Sequence, residues 1–227
     1  GEIIKTLSDA GVDMIEIGVP FSDPMADGPV IQHSSQQALE NGMSQALLFD
    51  QLKDVRKITN VPLILMGYLN TALQFGFEKY CQKAAEVGID GFIIPDIPLE
   101  EYETNYKPIA EKYGLTFTLL VTPETEEDRI RKIDDISTGF VYLVSSASTT
   151  GTQSDFNQSK RAYFKRIHDM DLKNPTLVGF GVSNKPTFDA ACEFSRGAII
   201  GSAFIKALSE QGSIRSAVET LMKQIKE

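Results

Sequence analysis

Short apolar runs alternate with amphipathic stretches along the whole chain. Strand-like runs fall at Met14–Val19, Pro62–Tyr68, Gly91–Asp96, Thr116–Thr122, Phe140–Ser145, Thr176–Gly181 and Ala198–Ser202. Each is short, almost continuously apolar and bounded by Gly, Pro or polar residues, the signature of strands buried on both faces. Between them apolar residues return at helical spacing. This predicts helices over Ser34–Glu40, Gln45–Ile58, Glu78–Val87, Leu99–Tyr113, Thr125–Ile136, Lys160–His168 and Pro186–Phe194, with Ser213–Ile225 closing the chain. Glu2–Ala10 is a further helix, stopped by Gly11, and Phe204–Leu208 is a short helix-like stretch.

Strict alternation of strand and helix implies a parallel sheet, either open and doubly wound or closed as a barrel. Polar or glycine residues stand at the C-terminal ends of nearly all the strands: Asp27, Asn70, Asp96, Thr122, Ser145, Gly181 and Ser202. An open sheet would gather them at one switch point, whereas a barrel spreads them round one mouth, so the pattern favours an α/β fold of the (β/α)8 TIM barrel class. The chain opens on a helix with no strand before it and on Gly rather than Met. The first β-strand is therefore expected to be missing from this sequence, and residues 1–227 are expected to form a single, N-terminally incomplete barrel domain.

Two acids interrupt this apolar pattern at its first strand. Alternation puts Ile15, Ile17 and Val19 on one face and Met14, Glu16 and Gly18 on the other, so one face carries a carboxylate. The following loop holds Pro20, Ser22, Asp23, Pro24, Asp27, Gly28 and Pro29, and its prolines restrict how Asp27 can sit. A strand-end Glu facing a loop Asp is suited to acid/base work. Glu16 also fits a structural acid paired to a buried cation, although the neighbouring strands supply no Lys or Arg. Asp27 likewise fits an Asp-Gly turn.

The last two strands end in Gly179-Phe-Gly181 and Gly201-Ser202, the second running straight into the short helix-like stretch. In barrels the loops after the last strands, with a helix N-terminus, hold phosphate through backbone N–H groups. Gly179, Gly181 and Gly201 permit close approach, and Ser202 adds a hydroxyl. Tight strand-to-helix turns would carry the same glycines. Ser145 to Asn157 is rich in Ser, Thr and Gly and is expected to be a lid, with Gly151 as its pivot or a phosphate contact; a surface loop without function is the alternative.

Composition narrows the classes. With 42% hydrophobic and 23% charged residues the chain is globular, and no apolar run reaches bilayer length. A formal charge of −9 argues against nucleic acid as the main partner without excluding a local anion site. Cys81 and Cys192 lie far apart with no leader pattern, which suggests reduced thiols and a cytoplasmic protein. His33 and His168 have no second ligand nearby, so no metal site is expected. No Lys, His or Cys sits at a strand end to serve as a nucleophile or Schiff base.

The run Glu16-Ile-Gly-Val-Pro-Phe-Ser-Asp-Pro-Met-Ala-Asp-Gly-Pro29 resembles the signature of the tryptophan synthase alpha chain family. The resemblance continues through Pro62-Leu-Ile-Leu-Met-Gly-Tyr-Leu-Asn70, Pro95-Asp-Ile-Pro-Leu-Glu-Glu101, Tyr142-Leu-Val-Ser145, Gly179-Phe-Gly-Val-Ser183 and Gly201-Ser202. It implies a lyase of tryptophan biosynthesis that splits indole-3-glycerol phosphate into indole and glyceraldehyde 3-phosphate by retro-aldol cleavage. Glu16 and Asp27 fall on the family's catalytic carboxylates. Tyr68, Tyr142 and Phe180 fall on its indole pocket, and Gly151, Gly181, Gly201 and Ser202 on its phosphate site. No cofactor is expected in this chain. The implied partner is a beta chain carrying pyridoxal phosphate, in an alpha2beta2 assembly, with Asp23, Pro24, Asn70 and Asp96 in loops on the docking side.

The family's loop after strand six commonly reads Ser-Arg-x-Gly-x-Thr-Gly, where this chain has Ser145-Ser-Ala-Ser-Thr-Thr-Gly151. Ser146 replaces the Arg and Ser148 a Gly, which alters the lid's closure contacts. Two other readings compete. Another phosphate-binding barrel, such as a sugar-phosphate epimerase, would want metal-binding His at strand ends, and the chain has none there. A catalytically impaired barrel acting as allosteric activator of a beta subunit would not need Glu16 and Asp27.

Overall fold

The computed structural model describes residues 1–145 and 158–227. Helix α1 (Glu2–Asp9) leads into β1 (Ile15–Gly18), followed by α2 (Pro29–Glu40), α3 (Gln45–Leu52), β2 (Leu63–Met66), α4 (Leu69–Phe75), α5 (Phe77–Val87) and β3 (Gly91–Ile93). Next come α6 (Leu99–Glu101), α7 (Lys107–Lys112), β4 (Thr116–Val121), α8 (Glu127–Ile136), β5 (Val141–Val144) and α9 (Gln158–Asp169). The chain ends with β6 (Thr176–Gly179), α10 (Lys185–Cys192), β7 (Gly197–Ala198), α11 (Ser202–Glu210) and α12 (Ile214–Lys226). Seven strands are present, the last at Gly197–Ala198 rather than over the expected Ala198–Ser202, since Ser202 already opens α11, and every pairing is parallel between consecutive strands. Parallel neighbours need a long crossover, which the helices supply.

The chain divides into two compact units. The first, Gly1–Ala26 with Gln32–Thr118, is built on β1, β2, β3 and the start of β4. Register runs Ile15 to Leu63, Ile64 to Gly91 and Gly91 to Thr116. Leu63, Leu65, Phe92, Ile93 and Phe117 are fully buried, so these strands read as unbroken apolar runs. Tyr80 stacks on Phe92 at 5.2 Å and Tyr102 packs on Phe117 at 4.3 Å between ring centroids, which seats α5 and the turn after α6 on the sheet.

The second unit, Asp27–Ile31 with Leu119–Glu227, is built on the end of β4 with β5, β6 and β7. Its register pairs Leu119 with Val141, Val141 with Thr176 and Leu177 with Gly197. Val121, Val141, Leu143, Val178, Ile130 and Phe164 fill its core. The Asn184 side chain accepts from the Thr187 amide at 3.0 Å while the Thr187 hydroxyl answers the Asn184 backbone, a reciprocal cap that starts α10 directly after the β6 loop.

Several expectations are corrected. α2 begins at Pro29 rather than Ser34, since Pro is well placed in the first helical turn, where its missing N–H costs nothing. The Gln45–Ile58 stretch is helical to Leu52 and then tightens into a 3-10 turn at Val55–Lys57. Leu99–Tyr113 contains a π turn at Tyr102–Tyr106. α4 was not foreseen, and Asn70 lies inside it rather than in a loop. Leu63 to Leu69 is so uniformly apolar or small that no period marks where the strand ends and the helix starts. Among the described residues no helix is long and apolar enough to cross a membrane.

The N-terminal ends of β2 and β3 are tied by Arg56. Its guanidinium donates to the Gly88 carbonyl at 2.8 Å and the Val61 carbonyl at 2.8 Å, and also pairs with Asp90, whose carboxylate accepts the Leu63 amide at 2.7 Å. Gly88 has φ +87, and a Cβ there would lie 2.5 Å from the Arg56 side chain. Arg56→Ala should cost about 1–3 kcal/mol by leaving several carbonyls unmatched. Lys should restore little, having no planar fork. Urea unfolding of the three proteins checks both.

Burial, with a smaller contribution from the Glu78 charge, pushes the Cys81 thiol up from 9.0 to about 12. The same burial raises the neighbouring Tyr80. The folded chain keeps a proton that the unfolded chain releases near pH 8.5, so this contribution is whole below that pH and is lost as pH rises toward 12. The urea midpoint should fall between pH 8.5 and 10.5, less steeply in Cys81→Ala.

Candidate active site

Glu16 is the second residue of β1, inside the strand rather than at its end as the sequence suggested, beside apolar neighbours and opposite Ile64 of β2 in register. The residue is half-buried, and its Oε2 atom is sealed from solvent. A carboxyl in that setting suits proton transfer better than a solvated one does. Tyr68 stands just past β2, 5% exposed, with its ring 5.2 Å from that of Phe21 and its hydroxyl accepting the Ala26 amide at 2.9 Å. The first unit thus brings together Glu16, Tyr68, Phe21 and the loop leading to Asp27.

In the second unit, half-buried Asp27 precedes α2. Tyr142 on β5 pairs with Leu177 on β6, so Gly179, two residues further along, is its diagonal neighbour on the same face. A Cβ at Gly179 would lie 1.9 Å from the Tyr142 hydroxyl oxygen, and only glycine lets that ring cross the strand end. Phe180 follows at φ +63, a left-handed conformation that costs a non-glycine residue about 1–3 kcal/mol. The Ser145 hydroxyl donates to the Phe180 carbonyl, and the Ser145 amide donates to the Gly179 carbonyl at 3.1 Å. These contacts hold Phe180 against Tyr142, with ring centroids 5.8 Å apart at 61°.

Gly181, also left-handed at φ +81, directs the chain toward α10. Gly201 caps α11 and Ser202 is its first residue, so both sit at a helix N-terminus with unmatched N–H groups. Ile31 of α2 lies near Gly201, its Cδ1 3.8 Å from where a Cβ would be. Gly151, Ser146 and Ser148, with the lid reading of the stretch that holds them, lie outside the described residues. His33 is exposed, and His168 packs on Phe194 at 6.1 Å. Among the described residues no group of three His, Cys, Asp or Glu is placed to hold a metal.

Two features escape the sequence pattern: the Tyr68 hydroxyl on the Ala26 amide and Ser35 on Phe21. Neither pair has a sequence spacing that announces it. Ser35 lies on a helical face that periodicity alone reads as polar surface.

Parallel strands alternating with helices, with an acid within the first strand and glycines following the last two, define an α/β enzyme of the (β/α)8 barrel class. A tryptophan synthase complex from Pyrococcus furiosus is similar in structure, with TM-score 0.86 and 32% identity, over 100% of this chain and 91% of that one. A mutually activated a2b2 complex of tryptophan synthase from the same organism is similar at TM-score 0.85 and 33% identity, over 100% and 89%. The family profile of the tryptophan synthase alpha chain matches residues 1–227. Relatives of that name include one from Bacteroides thetaiotaomicron, 56% identical over 99% of this chain and 88% of the relative. One from Flavobacterium psychrophilum is 59% identical over 93% of this chain and 83% of the relative. The chain belongs to the tryptophan synthase alpha chain family.

Gly179→Ala should displace the Tyr142 ring, raising KM for substrate at least tenfold while the chain still folds, because the clash lies at a strand end rather than in mid-sheet. Steady-state kinetics beside a thermal melt check this. An unchanged KM would mean that Tyr142 does not line the pocket.

Proposed function

We propose that this chain cleaves indole-3-glycerol phosphate into indole and glyceraldehyde 3-phosphate, as the alpha subunit of a tryptophan synthase. The observation that carries the reading is Glu16 within β1, with one carboxyl oxygen sealed from solvent, in a chain that matches the family over residues 1–227. The indole passes to a beta chain that carries pyridoxal phosphate, in an alpha2beta2 assembly in the cytoplasm. The a2b2 complex among the similar structures supports that partner.

Cleavage breaks the bond between indole C3 and the hydroxyl-bearing carbon of the glycerol chain. C3 gains a proton, the hydroxyl loses one and becomes the aldehyde, and the bonding pair returns to the indole ring. No net proton is consumed. Positive charge grows on the indole nitrogen while C3 is protonated. Glu16 shuttles the proton between oxygen and carbon, the reading being supported by its one solvent-sealed carboxyl oxygen. Asp27 serves as the anion that pairs with the indole N–H. Tyr68, Tyr142 and Phe180 line the ring's pocket. Gly181, Gly201 and Ser202 offer N–H groups and the α11 N-terminus to the phosphate.

Glu16→Gln and Asp27→Asn should each lower turnover by about 10²- to 10⁴-fold with KM little changed. The measurement is indole release from indole-3-glycerol phosphate by the full chain, with and without a beta chain. Near-normal turnover in Glu16→Gln would end this mechanism. Stimulation of a beta chain by a protein that releases no indole would mark the chain as an activator only.

A further inference from the structure

Asp27 sits in the loop between Phe21 and Ser35, and side-chain hydroxyls hold that loop at two points. Ser35 on α2 reaches back to Phe21, accepting its amide at 2.9 Å and donating to its carbonyl at 3.0 Å. Both backbone groups of Phe21 are thus matched by one hydroxyl, which closes the loop at its base. At the other end, the Tyr68 hydroxyl accepts the amide of Ala26, the residue before Asp27, at 2.9 Å. Tyr68 is itself anchored, since its carbonyl accepts the Thr71 hydroxyl at 2.7 Å and the Thr71 amide at 3.1 Å, and its ring lies on Phe21. The outer part of the loop has a longer contact, from the Gln32 side-chain amide to the Pro24 carbonyl at 3.4 Å, and the Met25 side chain is 79% exposed.

We propose that Ser35 and Tyr68 are positioning residues that set Asp27, Ser35 by closing the loop on Phe21 and Tyr68 by fixing the Ala26 amide. The proposal rests on Asp27 acting in the reaction as described above. The position of a loop acid depends on the backbone on either side as well as on its side chain's own contacts. Misplacement by about 1 Å costs reactions on the order of 100-fold. Because an acid that pairs with developing charge acts mostly in the transition state, the loss should appear in kcat and not in KM.

The variants are Tyr68→Phe, which keeps the ring in place, and Ser35→Ala, with Ser35→Thr as the conservative replacement. Each of the first two should lower kcat for indole formation roughly tenfold or more, with KM within about twofold, and Ser35→Thr should recover most of the loss. On an Asp27→Asn background neither should lower kcat further. Hydrogen exchange should quicken at the Ala26 amide in Tyr68→Phe and at the Phe21 amide in Ser35→Ala, with the rest of the chain as protected as in the parent. Full kcat in both single variants, losses that add to that of Asp27→Asn, or unchanged exchange at these amides would each overturn the proposal. If the parent protein itself releases no indole, the functional reading fails, while the exchange measurement still decides whether the two hydroxyls hold the loop.

Discussion

Parallel strands buried on both faces leave almost nowhere for a polar side chain except at their ends, and this restriction governs where the chemistry of this protein can be placed. β2, β3 and β5 are lined almost entirely by buried apolar residues, so an acid within them would lose its hydration with no partner to replace it. Glu16 is tolerated because β1 is less deeply covered, with its last residues half-buried or exposed. The in-register pairing then places the carboxyl opposite Ile64, beside an apolar strand. The same burial that makes the sheet stable seals one oxygen of this acid from solvent.

The second unit meets a different demand, that of bringing a large ring across a strand end. Tyr142 can lie over β6 because Gly179 has no side chain, and Phe180 can face Tyr142 because its backbone turns left-handed immediately afterwards. That turn is unfavourable for phenylalanine by itself. It persists because Ser145, buried at the end of the neighbouring strand, satisfies both the Phe180 and the Gly179 carbonyls. Strain at one residue is thus offset by hydrogen bonds from the adjacent strand, and the outcome is an aromatic wall at the start of the Gly181 turn.

The loop after β1 is held by hydroxyls rather than by apolar packing. Ser35 and Tyr68 bind it through single backbone groups, and the half-buried Phe21 ring is its main apolar contact with Tyr68. Between those two points the Gln32 side-chain amide meets the Pro24 carbonyl, and the Met25 side chain is exposed.

Periodicity made the strands and most of the helices legible, because a residue buried on one face of a helix or both faces of a strand must be apolar wherever the chain runs. Glu16 was legible for the converse reason, as a charge in a place where burial forbids one without a purpose. Gly181, Gly201 and Ser202 could be singled out from their places after the last two strands. α4 could not be separated from β2, because an apolar run of that length satisfies either period. The sequence also held no sign that the Tyr68 hydroxyl meets the Ala26 amide, that Ser35 closes on Phe21, or that Gly179 makes room for Tyr142. Those pairs are 42, 14 and 37 residues apart along the chain. Local pattern specifies which face of an element is buried, whereas a contact between distant residues depends on strand register and on the path of the backbone between them, and those exist only once the chain has folded.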